Sequence, residues 1–417
     1  MQVKAILNSV EKLKGFVYER VAWETSSSEK SLVVQLRARK GSQGICSGCG
    51  VPGPTYDHLP ERRWQFVPLW GIPLFFVYAM RRVDCQRCGP TVEMVPWAEG
   101  KRQVTTSFSW FLAEWAKRLS WKETACIFKT SWETVFRCVE AAVAWGREHV
   151  DLTGITAIGI DEIHTGAKCK FLTLVYQIDE HRKRLLFVAR DRTEESLRGF
   201  FRYLGKERSS LLKFVCSDMW RPYLNVIEEC AGDALNVLDR FHIMSHFSKA
   251  LDEVRAGEAR RMKSEGYEPV LKHMRWCLLK RPENLTDQQE GRLDELLRYN
   301  LKTVRAYLLK EWFQQFWDYT YSASAGKFLD RWCYQAMRSK IDPIKKVARM
   351  VRGHRTLILN WFKARGQVAL GAVEGFNNKA KVGYRLAFGF RTYEAQEVAL
   401  YHRLGDLPVP KFTHRFC

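Results

Sequence analysis

The chain has 417 residues, of which 46% are hydrophobic and 13% aromatic, so it has enough apolar surface for a globular protein of several domains. No segment approaches the roughly 18 consecutive apolar residues of a membrane span, and the start of the chain lacks the basic and apolar blocks of a secretory signal, so we expect a cytoplasmic protein with no membrane partner. Lysine and arginine number 67 against 46 acidic residues, a formal net charge of +21, which favours a nucleic-acid partner over the alternative of a basic protein without one.

Four of the twelve cysteines occur as two closely spaced pairs near the amino terminus, and a glycine follows each pair. The pairs are Cys46 with Cys49, before Gly50, and Cys85 with Cys88, before Gly89. This spacing is typical of a zinc ribbon, in which four thiolates hold one tetrahedral Zn2+, and glycine permits the positive φ that aims backbone amides at the sulfurs. A closed site of this kind has no open position for chemistry, so we predict a structural zinc in a domain of residues 1–98.

Basic residues between the cysteine pairs are candidates for contact with DNA. Apolar segments in this region predict strands that bring the two cysteine pairs together. Arg81 and Arg82 lie on one such segment, and we expect them to contact phosphates without reading bases.

Residues 104–150 have the pattern of a helix-turn-helix domain. Residues 106–119 are amphipathic, and two capping boxes follow, at 120–123 and 130–133, the second of which starts a longer helix. A short helix, a tight turn and a second helix form the outline of a DNA-binding helix-turn-helix, although any small helical bundle shares it. In the DNA-binding interpretation, the start of the second helix faces the DNA with Lys129, Thr130, Ser131 and Trp132.

After residue 154 the pattern changes to short strands. We predict strands at 157–161, 171–178 and 185–189, a helix to 204, a strand at 213–217, a helix at 221–231 and a strand at 234–238. This order is that of a ribonuclease H-like core, in which the first and fourth strands are neighbours. Asp161 and Asp218 end these two strands, so we expect both carboxylates within reach of one metal ion.

Phosphoryl transfer from DNA needs two Mg2+ ions per active site, about 3.5 to 4 Å apart, and a third carboxylate to hold them. We predict Glu374 as this acid, on a helix whose same face carries Asn378, Lys381 and Arg385 as phosphate-binding or outer-shell groups. Glu162 is expected to point to the opposite face of the sheet and to be structural or an outer-shell residue of the site. Asp239 and His242 follow the fifth strand, where Asp239 suits a helix cap and His242 could contact the scissile phosphate. A long helical segment rich in tryptophan and basic residues, 255–362, separates this strand from the Glu374 helix in 363–417.

With these residues the chain resembles the ISL3 family of bacterial insertion-sequence transposases, which are DDE enzymes, and the resemblance runs nearly end to end. The stretches that carry it are the two cysteine pairs and residues 159–162, 217–219 with Tyr223, 238–242, 275–286 and 374–379. The resemblance implies Asp161, Asp218 and Glu374 as the catalytic, Mg2+-binding acids, with a helical insertion before the Glu374 helix. The Asp239 and His242 pattern also recurs in insertion-bearing transposases.

The sequence as a whole therefore predicts a multidomain α/β DNA transposase. The expected domains are a zinc ribbon, a helix-turn-helix, a first core segment at 154–254, an all-α insertion at 255–362 and a second core segment at 363–417. The partners are double-stranded DNA at the element's ends and at the target, and a homodimer on paired ends, in the bacterial nucleoid. Two alternatives stay open: a DNA-binding regulator with a decayed core, and a ribonuclease H-like nuclease or resolvase.

Overall fold

The computed structural model describes residues 3–26, 29–164, 171–267, 270–365, 367 and 371–411, and the chain divides into two compact units. Unit 1 consists of residues 1–151 and 382–417, and unit 2 of residues 152–381. Both helices and sheets are present, so the predicted mixed α/β class is confirmed. Among the described residues, no helix is both long enough and apolar enough to cross a membrane.

Unit 1 begins with a small α/β segment and continues into three helices. Its elements are α1 Val3–Val10, β1 Phe16–Ser26, β2 Glu29–Ala38, β3 Gly44–Ile45, β4 Pro52–Gly53, β5 Thr55–Leu69, β6 Ile72–Cys85, β7 Gly89–Val92, α2 Thr106–Ala116, α3 Trp121–Ile127 and α4 Trp132–Glu148. The main sheet has the order β1-β2-β6-β5, and β7 pairs with β6. Its apolar face packs around Trp97, whose ring meets Phe16 at 4.9 Å and Trp64 at 5.7 Å between centroids.

A buried ion pair joins β6 to the segment after β7. Arg81 Nη2 lies 2.7 Å from Glu93 Oε2, the two side chains are 7% and 0% exposed, and the Tyr78 hydroxyl donates to Glu93 Oε1 at 2.8 Å. Arg81, which the sequence analysis expects to contact DNA, has its guanidinium turned into the domain and neutralised there by Glu93. Arg82 alternates to the exposed face, where it pairs with Asp57.

The sequence predicts a capping box at the start of α3 and another at the start of α4, and the first of them is confirmed. Ser120 and Glu123 form the predicted capping box, with Ser120 Oγ 3.2 Å from the Glu123 amide. The second predicted box is wrong: Ser131 caps α4 and accepts from the Thr134 amide at 3.1 Å. Lys129 adopts φ 50° at the turn, and the helix begins only at Trp132.

Unit 2 contains a five-stranded sheet and a helical insertion. Its elements are β8 Ala157–His164, β9 Phe171–Ile178, β10 Lys183–Ala189, α5 Glu194–Leu204, α6 Lys206–Ser209, β11 Phe214–Ser217, α7 Arg221–Ala231, β12 Leu235–Leu238, α8 Arg240–Ser264, α9 Arg275–Leu279, α10 Asp287–Leu297, α11 Lys302–Gln314, α12 Ser322–Arg338, α13 Asp342–Gly353 and α14 Arg355–Ala364, with 3-10 turns at Pro282–Asn284 and Gln315–Asp318. The strand order is β10-β9-β8-β11-β12, so the predicted adjacency of the first and fourth strands is confirmed. The prediction that β8 ends at Asp161 is wrong, because the strand continues to His164 along β9.

Two further helices follow, α15 Ala372–Leu386 and α16 Tyr393–Leu404. The sequence assigns 363–417 to the catalytic core, but residues 382–417 group with unit 1. The reason is that α16 packs against α4: Arg147 lies 2.9 Å from Glu397, and its guanidinium carbon is 4.3 Å from the centre of the Tyr401 ring.

Glu93→Gln is expected to destabilise unit 1 by about 3–5 kcal/mol, because it leaves the Arg81 guanidinium buried without a compensating charge. Thermal unfolding followed by circular dichroism measures the effect. The control is Asp57→Asn, which breaks the exposed pair with Arg82 and is expected to change little, since solvent screens that pair. Equal shifts for the two variants would contradict the burial of the Arg81–Glu93 pair.

Candidate active site and cysteine cluster

Asp161 and Asp218 are brought together by the register of two parallel strands. In the pairing of β11 with β8, Cys216 lies opposite Gly159. Each aspartate follows its paired residue by two positions, so each carboxylate lies on the same face as that residue and at the same level of the sheet. Two acids far apart in sequence thus become neighbours at one edge of the sheet.

Asp239 and His242 extend this group from the next strand. The Asp239 amide donates to the Ser217 carbonyl at 2.9 Å, and the Asp239 side chain caps α8 by accepting from the Phe241 amide at 2.8 Å. Its other oxygen lies 3.0 Å from His242 Nδ1, and His242 Nε2 lies 3.7 Å from Asp161 Oδ1. The predicted capping role of Asp239 is therefore present together with a contact to the histidine.

The histidine carries positive charge beside the acids. The hydrogen bond to Asp239 is the largest cause that raises the pKa of His242, to about 9, and the charge of Asp161 adds to it, while burial acts in the opposite direction. Burial raises the pKa of Asp161, and the charge of His242 partly offsets this effect. The site thus holds a partly buried carboxylate against an imidazolium.

Arg192 is a second cation at the site, and the sequence analysis did not identify it. Its Nη2 lies 2.6 Å from Asp218 Oδ2, and its Nε lies 2.8 Å from Glu162 Oε1. The guanidinium carbon is 4.5 Å from the centre of the Trp220 ring, which holds the arginine in place. Glu162, expected to be structural or an outer-shell residue of the site, is thereby tied to Asp218 through Arg192. Burial and the charge of Asp218 raise the pKa of Glu162 to about 7.

Helix α15 docks on the face of β8 that carries Gly159. A Cβ at Gly159 would lie 2.3 Å from Val373 Cγ2, so only glycine permits this approach. One turn further along, Asn377 Nδ2 donates to Asp161 Oδ2, and Asn377 Oδ1 accepts from the Tyr176 hydroxyl at 2.8 Å. Phe376 stacks on the Tyr176 ring at 4.9 Å between centroids. Asn377 is thus the amide that meets the acidic group.

The predicted polar face of α15 lies towards solvent. Glu374, Asn378, Lys381 and Arg385 are all exposed, whereas the buried residues of the helix are Val373, Asn377 and Ala380. In the described part of the chain, the Glu374 carboxylate has no hydrogen bond or ion pair and does not join Asp161 and Asp218 in a cluster with metal-ligand spacing. The structure therefore brings the helix, but not the Glu374 carboxylate itself, against Asp161.

The four paired cysteines do form such a cluster. The Sγ atoms of Cys46, Cys49, Cys85 and Cys88 all lie within 4.8 Å of one another. Gly50 and Gly89 have φ of 72° and 70°, as the sequence predicts, and the Gly48 amide donates to Cys46 Sγ at 3.4 Å. Thiolates about 2.3 Å from a tetrahedral Zn2+ lie about 3.8 Å apart, so the donor set and its spacing fit zinc.

The residues predicted to face DNA in the helix-turn-helix lie in the turn between α3 and α4 and at the first residue of α4. Lys129, Ser131 and Trp132 are exposed, and Trp132 is 51% exposed although it is a large apolar residue. Thr130 is half-buried, and its amide donates to the Ala125 carbonyl at 3.0 Å.

The chain is similar to transposases along most of its length. Residues 158–400 match the ISL3 family, whose description is transposase. The chain is 26% identical over 394 residues to the transposase for insertion sequence element IS1001 of Bordetella parapertussis, covering 94% of this chain and 96% of that protein. It is 29% identical over 390 residues to the transposase for insertion sequence element IS1557 of Mycobacterium tuberculosis, covering 87% of this chain and 86% of that protein.

Gly159→Ala is expected to destabilise unit 2 by about 1–3 kcal/mol and to loosen α15, because the added methyl group overlaps Val373. Thermal unfolding measures the first effect, and limited proteolysis within residues 372–386 measures the second. Gly257→Ala is the matched control: it lies inside α8, where a Cβ meets nothing within 4 Å, so alanine there is expected to be neutral or slightly stabilising. Equal stability and equal protease resistance of the two variants would contradict the docking of α15 on β8.

Proposed function

The chain belongs to the ISL3 family of transposases, and from this premise we propose that it binds the terminal inverted repeats of an insertion sequence and performs Mg2+-dependent strand cleavage and strand transfer. We assign the catalytic acids as Asp161, Asp218 and Glu374. The observation that carries the proposal is the β8–β11 register, which sets two of these acids side by side at the edge of a buried sheet.

The group at this edge suits a hard divalent cation. Its donors are carboxylate oxygens, the type of ligand that Mg2+ prefers. Burial is the largest cause that raises the pKa of Asp161, and the charges of Asp239 and Asp218 raise it further. A cation there would relieve this unfavourable concentration of negative charge. When bound, the ions would stabilise the charge that develops on the attacking and leaving oxygens of the phosphodiester.

The contacts of its helix support the assignment of Glu374. It precedes Asn377 by three residues, about 4.5 Å along the helix axis, and Asn377 donates to Asp161. In the proposed site, the exposed Glu374 side chain would turn towards the sheet edge when metal binds and add its carboxylate to the group. We assign Asn377 to holding α15 in register with Asp161, and thus to positioning Glu374.

The two cations have roles of their own at this site. With a proton on each ring nitrogen, His242 faces Asp239 through Nδ1 and Asp161 through Nε2, and so presents a positive charge beside the carboxylates. Arg192 bridges Asp218 and Glu162 and is fixed on Trp220. Both groups can bind the non-bridging oxygens of a phosphodiester, which places the scissile bond next to the acids.

The amino-terminal part of the chain is proposed to bind the ends of the element. The exposed residues of the α3–α4 turn, with Trp132 and Lys129, suit contact with a DNA groove and its phosphates. The four-cysteine cluster is proposed to hold structural Zn2+. Joining two ends requires at least two active sites in one assembly, so the proposed working form is a dimer on paired ends.

Asp161→Asn, Asp218→Asn and Glu374→Gln are each expected to lower Mg2+-dependent cleavage of a duplex with the cognate end by more than about 100-fold, while binding to that duplex is retained. Denaturing gels measure cleavage, and strand-transfer products distinguish a transposase from a nuclease. Glu290→Gln is the control, since it also removes an exposed acid from the first turn of a helix in unit 2. Undiminished cleavage by any of the three variants would remove that acid from the assignment.

Cys46→Ser and Cys88→Ser are expected to release one equivalent of zinc and to unfold the region around the cluster, because three thiolates hold zinc far more weakly than four. Elemental analysis of the purified protein measures the metal content, and circular dichroism the fold. Cys126→Ser, at an exposed cysteine outside the cluster, is the control and is expected to retain the metal. Zinc content that is unchanged in the first two variants would refute the site.

A further inference from the structure

Three arginines from separate segments of unit 2 converge beside the candidate active site. Arg240 is the first residue of α8, Arg281 precedes the 3-10 turn Pro282–Asn284, and Arg365 follows α14. The charges of Arg281 and Arg365 both act on Arg240 and lower its pKa, after burial, which is the largest cause. Because these segments are far apart in sequence, it is the tertiary fold that brings Arg240 and Arg365 onto adjoining tryptophan rings.

Two of these guanidiniums are fixed on adjoining tryptophan rings. The guanidinium carbon of Arg240 is 5.2 Å from the centre of the Trp317 ring, and that of Arg365 is 5.2 Å from the centre of the Trp361 ring. The two rings lie 5.2 Å apart and are inclined at 74°. Arg365 also donates to the Tyr319 carbonyl at 3.2 Å. The aromatic pair thus holds two positive charges in defined positions.

The positive charge of this cluster is only partly compensated. Arg240 is half-buried, and within the described ranges it has no ion pair. Among the described residues, Arg281 pairs with Glu283 at 3.7 Å, and the charge of Asp318 acts on Arg240 without an ion pair between them. Holding like charges together in a partly desolvated place is unfavourable unless an anion binds there.

We propose that Arg240, Arg281 and Arg365 form a binding site for the phosphodiester backbone of DNA next to the catalytic acids. The inference rests on the proposed function, which it deepens. Guanidinium groups bind phosphate through paired hydrogen bonds and are the usual choice for this purpose. Trp317 is 2% exposed and Trp361 is half-buried, so neither ring is free to stack on a base. The guanidinium groups are the parts of the cluster that suit phosphates.

The position of Arg240 relates the arginine cluster to the candidate catalytic acids. It directly follows Asp239, whose carboxylate contacts His242, and His242 lies 3.7 Å from Asp161. DNA whose scissile phosphate lies at Asp161 therefore presents nearby phosphates of the same duplex to the arginine cluster. These phosphates belong either to the transposon end or to the DNA that flanks it.

The test measures binding of the full-length protein without Mg2+, so that no cleavage occurs. Fluorescence anisotropy at rising salt is applied to a duplex that stops at the scissile position and to one that continues into flanking DNA. Arg240→Gln with Arg365→Gln is expected to weaken binding about tenfold and to reduce the slope of log affinity against log salt by about 2. Arg240→Lys, which keeps the charge, is expected to retain the wild-type slope.

The matched control is Arg338→Gln. Arg338 is also an arginine stacked on an aromatic ring in the insertion, at 3.8 Å from the centre of the Tyr334 ring, but it lies outside the cluster. It is expected to leave affinity and slope unchanged. Asp318→Asn, which removes an acid whose negative charge acts on Arg240, is expected to tighten binding. Equal affinities and slopes for the double variant and the Arg338→Gln control would overturn the proposal.

The two duplexes and the cleavage assay separate the remaining outcomes. A loss of affinity on both duplexes assigns the cluster to transposon-end phosphates, and a loss only on the longer one assigns it to flanking phosphates. Asp161→Asn is expected to abolish cleavage with affinity retained, whereas the arginine variants lower affinity and still cleave at saturating protein. If the double variant unfolds at a lower temperature than the wild type, Arg365→Gln alone carries the test, because that side chain is exposed.

Discussion

The parallel pairing of β8 with β11 is the constraint on which the candidate site depends. Ile158 and Val215 lie opposite each other in this pairing and are both fully buried, so the apolar core fixes the register. Side chains alternate between the two faces of a strand, and a shift by one residue would turn a carboxylate to the other face. Core packing at these positions therefore sets the relative positions of Asp161 and Asp218.

Gathering acids at one edge is unfavourable, and the fold offsets the repulsion with groups from three other elements. His242 comes from α8, Asn377 from α15, and Arg192 from the segment between β10 and α5. Each contributes either a positive charge or a hydrogen-bond donor to a carboxylate. In the proposed function, the same groups that stabilise the arrangement of acids would also orient a phosphodiester, which would couple electrostatic stability to substrate binding.

Helix α8 joins this site to the insertion. Its first turn holds His242, and its 25 residues extend into the helical core, where the Phe247 ring meets Phe313 at 4.2 Å and Trp332 at 5.2 Å. A second link is the hydrogen bond of 2.8 Å from Asn360 to the Asn236 carbonyl of β12. The insertion is thus attached beside the acids through α8 and through β12. Arg240 of the arginine cluster is the first residue of α8 and therefore lies at the first of these two attachments.

The sequence alone determined the elements with strong local signals. Short apolar runs predicted the strands of unit 2 and their succession along the chain. A serine and a glutamate three residues apart predicted the start of α3, and paired cysteines with glycines predicted the thiolate cluster. The resemblance seen in the sequence pointed to ISL3 transposases, and the family match over residues 158–400 confirms it. These features depend on neighbours within a few residues, so spacing in the chain is enough to identify them.

Only the tertiary structure decided which polar side chains face inward. Asn377 and not Asn378 contacts Asp161. Arg81 is buried against Glu93, while Arg82 lies on the exposed face of the same strand. Arg192 lies in the site although no sequence motif indicates it. In each case the choice depends on the rotation of a helix or strand against a partner that is distant in sequence. Local spacing shows which residues share a face of a helix or strand. The element against which it packs decides which of its faces is turned inward, and therefore which side chains are buried.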